Sequence, residues 1–115
     1  MGRRNRQRAK LTAPVQQYRD EHGNVLELRG SLTAPARREY EQTLAAGLHR
    51  EDAQQRATEL LFERLAVSWT IAGLRLDRQK ELLGRYRMAS AEERAFVRES
   101  LRAHVAEHFP EVQAP

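Results

Sequence analysis

Between Leu60 and Ile71 the chain gathers Leu60, Leu61, Phe62, Leu65, Ala66, Val67, Trp69 and Ile71, and any fold must enclose this segment. Read as part of a helix over residues 50–72, these side chains cover nearly its whole circumference. A helix apolar all round is central to its domain or shares a surface with another chain. Glu51 and Asp52 sit in its first turn, where acids favour the positive dipole end, and Gly73 stands at its stop.

The flanking pattern supplies the rest of a mainly α fold. Over residues 15–30, Leu26 and Leu28 share one face at period two, and Gly23 with Asn24 can take the positive φ angles of a tight turn, which predicts a β-hairpin. Two strands alone are marginal, so the hairpin needs a helix beneath it or a strand beside it. Thr33 caps a helix over 34–46, with Pro35 in the first turn, Ala36, Tyr40 and Leu44 inward, and Gly47 as its stop. Asp77 caps a helix over 78–88 with Leu82, Leu83 and Tyr86 inward. Gly84 either weakens that helix or allows close packing. Ser90 and Glu93 form a capping box ahead of a helix over 91–108, whose apolar side is Phe96, Val97, Leu101 and Val105. The expectation is one domain over 15–110, a hairpin and a compact bundle of about four helices, with residues 111–115 as a frayed tail. At 115 residues, two independent cores would each be near the lower limit for unaided folding.

Charge divides the chain sharply. Residues 1–10 carry Arg3, Arg4, Arg6, Arg8 and Lys10 and no acid, so this arm is +5 in a chain of net charge +4. Subtracting those five from the 20 basic residues leaves 15 against 16 acids in the remainder, which is −1. The arm has no large apolar residue after Met1, so residues 1–14 read as a flexible Arg-rich arm and linker. Guanidinium groups match phosphate geometry, and neutralising phosphates releases counterions. An acidic protein or an anionic membrane would also attract the arm, but it has no apolar anchor. Of the 20 basic residues 18 are Arg, a skew that a GC-rich genome produces without any chemical requirement, and an unselected arm is the competing reading.

Composition removes several chemistries. With no cysteine there is no disulfide, thiol nucleophile, Fe–S cluster or cysteine zinc site. Arg3 and Arg4 open the chain without the apolar stretch of a signal peptide, and Arg6 occupies the position where myristoylation needs Ser or Thr. A cytoplasmic protein without membrane contact is the expectation. His104, Glu107 and His108 match H-x-x-E-H, and histidines at i and i+4 share a helical face. Such sites need a third ligand and an enclosing cleft, and a helix C-terminus favours histidine without any metal, so no metal or other cofactor is assigned. Phosphate-cradling glycine loops and a Ser/His/Asp signature are missing, and no small-molecule substrate is inferred. The chain reads as non-enzymatic.

The last two helices have the rough spacing of a helix-turn-helix, but Glu92 and Glu93 stand where a recognition helix meets DNA. Arg94, Arg98 and Arg102 recur at i and i+4 and can contact a phosphate backbone from one side, unless Glu99 pairs with Arg102 in an ordinary mixed-charge face. Arg85 and Arg87 beside Tyr86 resemble a base-stacking mixture, although Tyr86 shares the face of Leu82 and Leu83 and belongs with the core. The leading expectation is a non-enzymatic protein associated with a DNA or RNA backbone through Arg3, Arg4, Arg6, Arg8 and Lys10. The competing one is a protein–protein adaptor or assembly subunit, a homodimer included, docking through the apolar 50–72 helix and the hairpin edge.

Overall fold

The apolar run from Leu60 to Ile71 is divided between a helix and a strand. A computed structural model describes residues 14–46 and 49–115, in the order β1 (Val15–Arg19), β2 (Val25–Arg29), α1 (Ala34–Ala45), α2 (Arg50–Leu65), β3 (Ala66–Ile71), β4 (Leu74–Leu76), α3 (Gln79–Arg87) and α4 (Ala91–His108). The expected helix over 50–72 therefore ends at Leu65. Ala66 turns to extended backbone, φ −68° and ψ 123°, while its N–H still closes the last turn on the Phe62 carbonyl. Two patterns overlap in this run. Leu61, Phe62 and Leu65 form a helical stripe, whereas the residues after Ala66 are rich in β-branched and aromatic types that suit a strand. Laid end to end, they imitate a helix apolar on every side.

Gly73 is a turn residue and not a helix stop. Ala72 and Gly73 have φ of 51° and 82°, and positive φ at both central positions is what a tight β3–β4 hairpin requires. The four strands form one antiparallel sheet in the order β1-β2-β3-β4. Beside β2, the strand β3 supplies the pairing that the N-terminal hairpin needs. Leu26 stands opposite Trp69 and Glu27 opposite Ser68, and the register then steps past Val67 to pair Leu28 with Ala66. Mainly helical character and an N-terminal hairpin hold, but the compact bundle gives way to helices packed with a four-stranded sheet.

Leu26, Leu28 and Trp69 from the sheet meet Leu61, Phe62 and Leu65 of α2, Leu82 and Tyr86 of α3, and Val97, Leu101 and Val105 of α4 in one core. Phe62 stacks on Tyr86 at 4.9 Å between centroids and meets Trp69 edge-on at 5.8 Å. Away from this core, Glu27 accepts hydrogen bonds from Ser68, from Gln17 at 3.3 Å and from Arg75 at 3.3 Å. Those donors, Ser68 first, hold its carboxyl below the usual carboxylate range.

Local signals succeed where a side chain closes a backbone group. Thr33 accepts from the Ala36 N–H, and Ser90 with Glu93 completes the capping box. Asp77 does not cap α3: its carboxylate takes Arg75 at 2.9 Å, and the cap position falls to Arg78. Gly47 lies outside the described residues. Residues 111–115, expected as a frayed tail, lie packed against the domain. Val112 is buried, Tyr40 Oη donates to the Gln113 carbonyl at 2.6 Å, and Arg37 pairs with Glu111. Apolar burial of Phe109 and Val112 anchors a segment that length alone marks as loose.

Gly84 has no close-packing role, because a Cβ there would meet nothing within 4 Å. Gly84→Ala should therefore stabilise the protein by about 0.5–1 kcal/mol through helix propensity and a smaller unfolded ensemble. Thermal denaturation checks this, and an unchanged or lower midpoint contradicts it.

Candidate nucleic-acid interface

Arg3, Arg4, Arg6, Arg8 and Lys10 lie outside the described residues, and the described part of the chain holds the other basic side chains. Six of its 15 basic residues form ion pairs: Arg37, Arg64, Arg75, Arg78, Arg85 and Arg87. Three of the other nine, Arg94, Arg98 and Arg102, line one side of α4. The periodicity of α4 explains the arrangement. Val97, Leu101, His104 and Val105 turn inward and are buried, which leaves positions 94, 98 and 102 exposed.

These arginines line a groove of about 400 Å³ whose other wall is α2, presenting Glu51, Gln54, Gln55 and Thr58. Arg94 donates to the Arg87 carbonyl at 2.6 Å, and its guanidinium lies 5.6 Å from the centre of the Tyr86 ring. Arg102 does not pair with Glu99. Its Nε donates to a main-chain oxygen of Pro115 at 2.8 Å, an acceptor brought there by the docked C-terminal segment. That docking is what the sequence reading of this face misses. Tyr86 is core, as its shared face with Leu82 implies, and burial pushes its hydroxyl pKa up.

The helix-turn-helix reading fails at the start of α4. Glu92 meets His22 of the β1–β2 turn at 3.1 Å, and Glu93 serves both the capping box and Arg85. Asp20, Glu21 and His22 of the hairpin line the same cleft as Glu92 and Glu93, so carboxylates crowd the end of α4 that would meet DNA phosphates. The H-x-x-E-H match also dissolves. His104 is buried, with Nε2 2.8 Å from the Arg29 carbonyl and Nδ1 2.8 Å from Tyr18 Oη. A carbonyl only accepts, so Nε2 carries the proton and Nδ1 accepts from the tyrosine. Neither nitrogen is left for a metal. His108 Nε2 lies 2.7 Å from Gln16 Oε1. Among the described residues, Glu21, His22 and Glu92 bring one potential ligand atom each within 4.8 Å of one another, all exposed.

Of the surface expected for docking, Leu61, Phe62, Leu65 and Trp69 lie in the chain's own core, and β3 takes the β2 edge of the hairpin while β1 stands at the edge of the sheet. The exposed large apolar residues described are Val15 on β1, Leu74 on β4 and Met88 just past α3. No helix among the described residues is long and apolar enough to cross a membrane. No family model matches this chain, and comparison with curated proteins and with solved structures finds no match.

Proposed function

We propose that this is a non-enzymatic, cytoplasmic protein that associates with the backbone of DNA or RNA through its basic N-terminal arm, Arg3, Arg4, Arg6, Arg8 and Lys10. The observation that carries the reading is the charge division: residues 1–10 hold +5 while the rest of the chain is −1. Phosphate contacts give affinity and orientation but little sequence preference, and their signature is steep salt dependence. The arginines of α4 support the same ligand class, since three cations gather on one face of a part of the chain that is close to neutral as a whole.

Five neutralised phosphates on duplex DNA correspond to at most about a 500-fold loss of affinity between 50 and 200 mM salt. Fluorescence anisotropy on labelled duplex DNA and single-stranded RNA, comparing the full chain with one starting at Leu11, tests the arm. The shortened chain should bind more weakly and lose roughly five contacts' worth of salt slope on duplex. Equal affinity and slope for both chains would remove the arm from the account.

A further inference from the structure

We infer that the groove between α2 and α4 is a track for single-stranded nucleic acid, whose phosphodiester backbone runs along Arg94, Arg98 and Arg102. The inference rests on the nucleic-acid reading above and names the form of ligand that this groove takes.

Only one wall of the groove is cationic. Arg94, Arg98 and Arg102 stand on α4, while the α2 wall offers Glu51, Gln54, Gln55 and Thr58 and no basic residue. Four helical residues rise about 6 Å, so the three guanidinium groups form a strip about 12 Å long for a single row of phosphates. A duplex presents two rows, separated by grooves roughly 6 and 12 Å wide, and a second row at the α2 wall would meet Glu51. A single strand places its phosphates against α4 and leaves sugars and base edges facing the amides of Gln54 and Gln55, which both donate and accept. The groove volume of about 400 Å³ suits a short stretch of one strand.

The arginines are also prepared for this ligand. The Arg87 carbonyl orients Arg94, a main-chain oxygen of Pro115 orients Arg102, and each guanidinium keeps further N–H donors. Side chains already held in place lose less entropy when a ligand arrives. Arg98, exposed and bonded to no described residue, completes the strip between them.

The test uses the full chain and its variant carrying Arg94→Gln, Arg98→Gln and Arg102→Gln together, with single-stranded RNA, single-stranded DNA and duplex DNA of equal length. On single strands each phosphate contact contributes about 0.7 to the slope of log affinity against log salt. The variant's slope should fall by about 2, which removes an approximately 20-fold loss between 50 and 200 mM salt, while its duplex slope stays unchanged. An equal fall on duplex overturns the single-strand assignment and leaves the nucleic-acid reading standing. An unchanged single-strand slope overturns the groove and leaves the arm as the binding element. Failure of the unsubstituted chain to bind any of the three overturns both. Arg98→Glu alone touches no bonded group; it should lower single-strand affinity several-fold with an unchanged melting midpoint, and unchanged affinity counts against the groove.

Discussion

Trp69→Ala should destabilise the protein by about 3–5 kcal/mol, a large part of the stability of a domain this size. Trp69 is 1% exposed, stands opposite Leu26 in the sheet and meets Phe62 edge-on, so it joins the sheet to α2 at the centre of the core. Alanine removes the indole and leaves a cavity that strand pairing prevents from collapsing fully. At about 4–8 °C per kcal/mol, the melting midpoint should fall by roughly 12 °C or more. Trp69→Phe separates packing from polarity. The indole Nε1 is buried without a hydrogen-bond partner, and phenylalanine deletes that unpaired donor while keeping a ring between Phe62 and Leu26. Its cost should be less than half that of alanine. Equal losses for the two variants would show that the indole itself is required, and a loss below 1 kcal/mol for alanine would remove Trp69 from the centre of the fold.

His104→Ala should cost about 3 kcal/mol at neutral pH, because it opens a cavity and leaves both the Arg29 carbonyl and Tyr18 Oη without their partner. Tyr18 holds its proton throughout, its pKa pushed up to about 12 by burial and by Glu107. The same site sets an acid limit. Burial lowers the His104 pKa first of all, the hydrogen bond to Arg29 works against that, and neighbouring His108 lowers it further. In the unfolded chain this histidine titrates near 6.5. Above that pH both states are neutral and the contribution is complete. As pH falls below about 6.5, the unfolded chain binds a proton that the folded one resists, so stability declines until the lowered folded pKa is passed. His22 acts in the opposite sense. Its hydrogen bond to Glu92 raises its pKa, so its contribution is present below about 6.5 and disappears as pH rises through the folded value; exposure keeps it slight. His104→Gln should flatten the decline between pH 7 and 5 in denaturant unfolding. A decline equal to that of the unsubstituted chain would place the acid limit elsewhere.

What could be read from the sequence was local. Thr33, Ser90 with Glu93, and the alternation of Leu26 and Leu28 each work within a few residues, and each appears in the structure as expected. The junction at Leu65 and Ala66 was not legible, because a helical stripe and a strand of β-branched residues abut without a glycine or proline between them. Ala72 hides the turn as well, since alanine rarely takes a φ of 51°. A helical reading of β3 hides the four-stranded sheet and the burial of Trp69, and leaves its apolar side chains looking like a surface for a partner. At the candidate site, the spacing of Arg94, Arg98 and Arg102 was visible. The facing wall on α2 and the Pro115 oxygen at Arg102 depend on packing of distant segments and were not. His104 gave the opposite error, as a ligand-like spacing proved to be a buried hydrogen-bonded link between α4, Tyr18 of β1 and the Arg29 carbonyl of β2.

The central claim is that this chain holds nucleic acid by its phosphates at two places, the arm and the α4 groove. The most direct measurement is the affinity of the full chain for a labelled single strand, by anisotropy, at salt concentrations between 50 and 200 mM. Five contacts from the arm and three from the groove predict a slope near −5.6 and a loss on the order of 1,000-fold across that range. Binding that scarcely changes with salt, or no binding at 50 mM with micromolar protein, would contradict the account.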